Sequence, residues 1–392
     1  MTATASALPQ YNVLLLDELE DPGASFAQWR SAGPLMDGMV GWGVTRHAEV
    51  SWLLKDRRIS HHFPKEMMEF AFGNGSTAAF QYNSLLNREG ADHSRLRRLM
   101  GRAFTLPLVR KLRDHITELV DGLIDPMLDG EARDIVADLA VPLPTAVICE
   151  MLNIDSIDRR EVAFHAARLF SLDHAESDAG TDWLRSYIGA VLAERAPDAD
   201  GDLLQRMLAA EDGEHRLTHD EVVDNAALLF FAGFETTKHL ITSGTAALLR
   251  FPAQQRLLWT EPGLARSAVE EFLRFDSPVI AAPRVTLEPV EVGGQMIKEG
   301  RFLQLLLASA NHDERAFDRP DQLDLTRDPN PHVSFAGGAH YCLGAMLARL
   351  EAEVVFTRLA QRSRSIEAAG NPTRVVRGFG TYASVPIRLR AS

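Results

Sequence analysis

A glycine-rich segment with a cysteine near its end has the residue types that could bind a metal. It reads Phe335-Ala336-Gly337-Gly338-Ala339-His340-Tyr341-Cys342-Leu343-Gly344 and runs into a helical pattern. Backbone N–H groups at the start of a helix, together with the helix macrodipole, favour a thiolate over a thiol at Cys342. A thiolate held by such a loop can be an axial metal ligand. The residues alone leave two alternatives open, a structural cysteine and a nucleophile paired with His340.

A second segment places polar residues inside an apolar helical pattern. It reads Ala232-Gly233-Phe234-Glu235-Thr236-Thr237. A glycine in a helix interior costs about 1 kcal/mol relative to alanine, so Gly233 needs a reason. Opening of the helix beside Gly233 would make room for a small ligand. The alternative is a kinked core helix in which Thr236 is satisfied locally.

Two further pairs have helical spacing. Glu271 and Arg274 are three residues apart, and His93 and Arg97 are four apart, so each pair shares a helix face. Arginine is suited to binding a carboxylate with two hydrogen bonds. Either pair taken alone could also be an ordinary set of surface charges.

Predicted helices carry most of these residues. Helical periodicity dominates the chain from Asp92 to about Leu249. Thr218 and Glu221 form a capping box that opens a long apolar helix over 222–249. Such a helix, apolar on nearly all sides, is expected to be buried in a large core. Further helices are predicted over 23–32, 264–275 and 343–361, and strands over 39–44, 285–292, 302–307 and 375–389.

Two stretches lack this regularity. Residues 61–90 show no clear periodicity and are predicted to form an irregular functional loop, and 311–331 a polar, proline-rich meander. No linker divides the chain. The sequence therefore predicts a single domain over 1–392, mainly α with a minor β region.

Composition excludes several classes of protein. The chain has 392 residues, with 41 Lys and Arg against 54 Asp and Glu, and a formal net charge of −13. Such an acidic chain is a poor general binder of nucleic acid or anionic membrane. Two cysteines cannot form a disulfide framework or a cysteine-based zinc site. With no signal-like segment or long apolar run, we expect a cytoplasmic protein without a membrane span.

The cysteine segment resembles the haem-binding loop of the cytochrome P450 family, Phe-Gly-x-Gly-x-His/Arg-x-Cys-x-Gly. The matching positions are Phe335, Gly338, His340, Cys342 and Gly344. Ala336 replaces the first glycine, which we expect to be a mild change in a backbone that tolerates a methyl group. The segments containing Glu235, Glu271 and His93 match other family motifs in the expected order.

The resemblance implies a role for each matched residue. Cys342 would ligate the iron of haem b beneath the long central helix. Glu235 and Thr236 would deliver protons, beside Ala232 and Gly233. Glu271 and Arg274 would be structural, in a triad whose third member is expected to be missing because Gln322 stands where the family has arginine. The haem propionates would be bound by His93, Arg97, Arg284 and His340.

The resemblance also implies a function, that of a haem-thiolate monooxygenase acting on a mostly apolar, medium-to-large organic substrate such as a natural-product intermediate. Alternatives are a related enzyme that uses peroxide or couples or rearranges its substrate, and a non-catalytic haem sensor. The predicted substrate contacts are Phe80, Tyr82, Leu228, Leu229, Val279, Ile280, Ala281, Phe379 and Thr381.

A basic segment is the predicted site of electron entry. Seven Lys or Arg residues and no Asp or Glu lie between His93 and Arg113. We expect Arg95, Arg98 and Arg102 to face solvent and bind an acidic ferredoxin. A separate reductase would supply electrons from NAD(P)H, and the enzyme itself would be a monomer.

Overall fold

A computed structural model describes residues 10–11, 22–38, 41–154, 159–171, 173–377 and 379–392, without the side chains of 10, 11, 22 and 375–381. The described residues do not include most of the N-terminal segment, 1–9 and 12–21, for which we expect no signal sequence. They also do not include Met39, Leu172 and Gly378. The helices are α1 Pro22–Ala32, α2 His47–Leu53, α3 Lys65–Phe72, α4 Ser76–Asn83, α5 Gly90–Ala103, α6 Leu106–Ile124, α7 Pro142–Met151, α8 Arg159–Arg168, α9 His174–Ala193, α10 Leu203–Ala209, α11 His219–Arg250, α12 Pro252–Thr260, α13 Ala265–Phe275, α14 Leu307–Ala310 and α15 Ala345–Arg362.

The strands are short. They are β1 Gln10–Tyr11, β2 Leu35–Gly38, β3 Gly41–Val44, β4 Ile59–Ser60, β5 Asp129–Asp134, β6 Glu211–Asp212, β7 His215–Arg216, β8 Ala282–Thr286, β9 Val290–Val292, β10 Gln295–Ile297, β11 Phe302–Leu305, β12 Ser363–Ala368, β13 Thr373–Arg377, β14 Phe379–Ser384 and β15 Pro386–Ala391. The predicted class, mainly α with a minor β region, is confirmed. No described helix is long and apolar enough to cross a membrane.

The chain folds into two compact units, one formed by 1–60, 242–342 and 372–385, the other by 61–241, 343–371 and 386–392. The first contains a six-stranded sheet in the order β1-β2-β3-β11-β8-β4. In this sheet β11 runs parallel to β3 and antiparallel to β8, and Leu303 lies opposite both Trp42 and Arg284. Arg284 is therefore on an inner strand. The single domain over 1–392 stays a prediction.

The second unit is mostly helical and contains the sheet β12-β15-β5. The predicted capping box at the start of α11 is confirmed. The backbone N–H of Thr218 donates to Glu221 Oε2 at 2.9 Å, and the N–H of Glu221 donates to Thr218 Oγ1 at 3.2 Å. The helix then runs for 32 residues.

Two predictions about local structure are wrong. The stretch 61–90 is not an irregular loop, because it contains α3 and α4. Each of these helices has eight residues, separated by Gly73-Asn74-Gly75, and two turns are too few for a period to stand out in the sequence. The helical region 92–249 also contains the strand β5 and the hairpin β6–β7.

Candidate functional site

The cysteine loop closes on itself through a backbone hydrogen bond. The N–H of Cys342 donates to the carbonyl of Phe335 at 3.1 Å, and the N–H of Tyr341 donates to Gly338 at 3.3 Å. A short 3₁₀ turn, Gly338–His340, lies inside the loop, and Cys342 is exposed. Helix α15 begins three residues later, with Gly344 as its N-cap. Backbone hydrogen bonds therefore hold the loop in a fixed conformation in which Cys342 is exposed.

Two positions in this loop have left-handed backbone. Gly338 has φ +66°, and a Cβ there would lie 2.4 Å from the carbonyl oxygen of Leu54. Glycine is required at this position by both conformation and space. Ala336 has φ +57°, where an L-residue other than glycine costs about 1–2 kcal/mol. The expected mild replacement at Ala336 is therefore a strained one.

Four accessible residues of helix α11 share one face of the helix. Leu229, Gly233 and Thr236 are half-buried and Ala232 is exposed, whereas the residues from Val222 to Leu228 are all buried. These four positions have the spacing of one helix face. A Cβ on Gly233 would meet only Ile148 Cδ1, at 3.9 Å. Ala232 and Gly233 therefore leave open space at the middle of this face, and the helix continues past them without a break.

The proposed proton-transfer residues already have partners on α11. The hydroxyl of Thr236 donates to the carbonyl of Ala232 at 2.6 Å. The Oε1 atom of Glu235 lies 2.5 Å from Nζ of Lys238. Lys238 was not singled out from the sequence, although its position three residues after Glu235 could have indicated the pair.

The four predicted propionate-binding residues differ in burial. His93 on α5 is 3% exposed and Arg284 on β8 is 4% exposed, whereas Arg97 and His340 are half-buried. Arg284 donates from Nη1 to the carbonyl of Pro283 at 2.7 Å. A permanently charged guanidinium buried to this degree needs close polar or anionic partners.

Glu271 and Arg274 form a fully buried ion pair. Arg274 donates from Nε and Nη2 to the two oxygens of Glu271, both at 2.8 Å, and each side chain is 0% exposed. The surface-pair alternative is therefore wrong. Arg274 also donates to the carbonyls of Asn311 and Pro320, at 2.9 Å each.

The expectation of an incomplete triad is also wrong. Arg327, five residues beyond Gln322, donates from Nε to Glu271 Oε2 at 3.0 Å, and its side chain is 9% exposed. Gln322 contributes only its backbone carbonyl, which accepts from Arg274 at 3.2 Å and from Arg327 at 3.3 Å. Arg327 in the meander thus supplies the second positive charge beside Glu271, although the family motif places the arginine at the position of Gln322.

The arginines predicted to bind a ferredoxin are compensated within the chain. Arg98 and Arg102 contact the two oxygens of Asp212 at 2.7 Å and 2.8 Å. The hydrogen bond from Arg98 holds the pKa of Asp212 below its ordinary value. Arg95 forms an ion pair with Glu221 and its side chain is 20% exposed, so it faces solvent only in part.

The predicted substrate contacts fall into three groups. Phe80 is 0% and Leu228 9% exposed, whereas Tyr82 is half-buried, like Leu229. Ile280 packs with Phe26 in a core cluster, and Val279 and Ala281 pack against neighbouring clusters. Phe379 and Thr381 lie on β14, and their side chains are not among those that the structure describes.

The described side chains fit a haem group. The exposed thiol of Cys342 is a soft ligand suited to iron. On α11, Ala232 is exposed and Gly233 has open space beside it, so this helix face leaves room for a small ligand. The buried charge of Arg284 suits a propionate carboxylate.

Comparisons with known proteins give a consistent result. A family model described as Cytochrome P450 matches residues 263–370. The chain is 37% identical to Vitamin D(3) 25-hydroxylase of Pseudonocardia autotrophica over 372 residues, 92% of this chain and 90% of that protein. It is also 37% identical to Nocardicin C N-oxygenase of Nocardia uniformis subsp. tsuyamanensis over 355 residues, 89% of this chain and 88% of that protein.

Solved structures are similar over nearly their full length. P450BioI, in complex with hexadec-9Z-enoic acid ligated acyl carrier protein, has a TM-score of 0.88 and 30% identity, covering 95% of this chain and 99% of that one. CxnD, a cytochrome P450 enzyme for C–S bond formation in chuangxinmycin biosynthesis, has a TM-score of 0.90 and 31% identity, covering 98% of each chain.

Proposed function

Because the chain belongs to the cytochrome P450 family, we propose that Cys342 is the thiolate ligand of its haem iron. The protein is a monooxygenase that inserts one oxygen atom of dioxygen into an organic substrate. The observation that carries the ligand assignment is the closed loop that presents the exposed thiol of Cys342. We further propose that the haem is haem b, with propionates bound by Arg284, His340, His93 and Arg97. Phe335, Gly338 and Gly344 shape the loop.

The haem supplies the centre at which dioxygen is activated, and α11 supplies protons. We assign Glu235 and Thr236 to proton delivery beside the accessible surface of Ala232 and Gly233. A hydroxyl both donates and accepts hydrogen bonds. Thr236 must release the carbonyl of Ala232 before it can donate elsewhere, and Glu235 can receive a proton only on an oxygen not held by Lys238.

Electrons come from separate redox proteins, which we propose to be a ferredoxin and an NAD(P)H-dependent reductase. Docking near Arg95, Arg98 and Arg102 stays a prediction, with a weaker electrostatic basis because these charges are compensated. Lys111 on α6 is exposed and forms no ion pair among the described residues. We expect Lys111→Glu to slow reduction more than Arg102→Glu, most strongly at low salt.

The proposed substrate is a mostly apolar organic molecule, such as a natural-product intermediate. The described side chains that favour it are half-buried Tyr82 and Leu229 and buried Phe80 and Leu228. A coupling reaction is the second candidate, because the similar CxnD structure is that of an enzyme for C–S bond formation. We also propose a cytoplasmic location.

A pair of variants tests the proton-delivery assignment. Thr236→Val keeps the shape of the side chain but removes the hydroxyl, so we expect haem and substrate binding to persist while electrons are diverted to hydrogen peroxide. Thr236→Ser keeps the hydroxyl and should retain most of the product formed per NAD(P)H. Equal product yields from the two variants would refute the role of the hydroxyl.

A further inference from the structure

Lys238 lies outside the motif residues but contacts one of them directly. Its Nζ atom is 2.5 Å from Glu235 Oε1, and the same atom lies 5.5 Å from the centre of the Phe234 ring. The side chains of Lys238 and Glu235 are 13% and 14% exposed. A cation over an aromatic face is attracted to it, so the ammonium group is fixed by two contacts on one helix.

This arrangement differs from a solvated surface pair. Exposed ion pairs contribute little because water screens them and the long side chains lose rotamer freedom. Here both side chains are mostly buried, and the aromatic ring restrains the lysine independently of the carboxylate. Lys238 is therefore able to select one orientation of Glu235 from the many that a glutamate side chain otherwise adopts.

We propose that Lys238 is a positioning residue, which holds the Glu235 carboxylate in the orientation from which it delivers protons. This inference rests on the proposed role of Glu235. Hydroxylation consumes dioxygen, two electrons from the reduced partner and two protons, and forms the hydroxylated product and water. When substrate oxygenation fails, the same two electrons and two protons can reduce dioxygen to hydrogen peroxide. Both reactions consume two protons, so the ratio of product to peroxide reports whether the protons are delivered in the position that leads to oxygenation, and not how many are delivered.

The test is a double-mutant cycle on the haem-loaded protein with redox partners. Lys238→Met keeps the stem and its packing on Phe234 but removes the charge. We expect product per NAD(P)H to fall about threefold to tenfold, because freeing the Glu235 rotamers dilutes the productive one, with peroxide accounting for the lost electrons. Lys238→Arg should restore most of the yield.

Glu235→Gln supplies the other arm of the cycle. If Lys238 acts through Glu235, Lys238→Met causes no further loss in the Glu235→Gln background. An equal loss in both backgrounds means a structural role and overturns the inference. An unchanged yield in Glu235→Gln alone refutes the proposed role of Glu235, and the inference falls with it.

A crystal structure of the Lys238→Met protein gives a readout that does not depend on activity. We expect the Glu235 carboxylate to move by about 2 Å or to occupy several rotamers, whereas in Lys238→Arg it should stay in place. A carboxylate that keeps its position without the lysine shows that Lys238 does not hold it, and overturns the inference. Thermal unfolding of each variant should confirm that the fold is retained.

Discussion

Two neighbouring glycines in the cysteine loop allow a matched test of how this loop is held. Gly338 has φ +66°, and an added Cβ would lie 2.4 Å from the carbonyl oxygen of Leu54. Gly337 is extended, with φ −167°, and its Cβ would meet Leu54 Cβ at 3.4 Å, an ordinary contact. Gly338→Ala is therefore the perturbation, and Gly337→Ala is its control.

The expected cost at Gly338 has two parts. Placing alanine in the left-handed region costs about 1–2 kcal/mol. Displacing a backbone carbonyl by about 1 Å to relieve the overlap costs about 1–3 kcal/mol more. We expect Gly338→Ala to lower the free energy of unfolding by about 2–5 kcal/mol, and Gly337→Ala to change it by about 1 kcal/mol or less.

The assay compares thermal unfolding and the spectrum of the reduced carbon monoxide complex. Gly338→Ala should lower Tm by about 2–6 °C and reduce the fraction of haem with the red-shifted Soret band of thiolate ligation. This second effect follows because Cys342 lies four residues further along the same loop. Equal Tm values for the two variants would refute the argument from left-handed backbone and the Leu54 contact.

Three other changes test separate parts of the structure. Arg327→Met should lower the unfolding free energy by about 1.5–3 kcal/mol because it removes a charge-assisted hydrogen bond to the buried Glu271 carboxylate, whereas Arg319→Met, at an exposed arginine, should change it by less than about 0.5 kcal/mol; urea unfolding compares them. Burial raises the pKa of Glu351 from 4.5 to about 8. The native state thus binds the proton more tightly than the unfolded chain, so this group's contribution to stability should fall by about 1.4 kcal/mol per pH unit between pH 5 and 8. A Glu351→Gln protein that showed the same slope as the parent would contradict this assignment. Asp178→Ala removes the carboxylate that accepts a hydrogen bond from the backbone N–H of Thr77, in the first turn of α4, at 2.8 Å. Limited proteolysis should therefore cut residues 61–90 faster, and an unchanged rate would show that this hydrogen bond does not hold the segment.

The cysteine loop and the central helix could be predicted because their evidence is local. The loop around Cys342 is long and its residue types are specific, and the capping box at Thr218 marks the start of α11 within four residues. The Glu271–Arg274 pair was also visible, because its spacing is that of one helix face.

Contacts between distant segments could not be predicted in the same way. Arg327 and Glu271 are 56 residues apart in the sequence, and Arg95 and Glu221 are 126 residues apart, yet each pair is in contact. Nothing in the basic segment 93–113 reveals that Asp212 compensates two of its arginines. The left-handed backbone at Ala336 was hidden for a different reason, since a motif records residue types and not dihedral angles.

Replacement of the two cysteines tests the central claim most directly. The haem-loaded protein is reduced, exposed to carbon monoxide, and its absorption spectrum recorded for Cys342→Ser and for Cys149→Ser. If Cys342 is the iron ligand, Cys342→Ser loses the red-shifted Soret band of a thiolate complex, whereas Cys149→Ser, at a fully buried position, keeps it. Persistence of the band in Cys342→Ser, or its loss only in Cys149→Ser, would contradict the account.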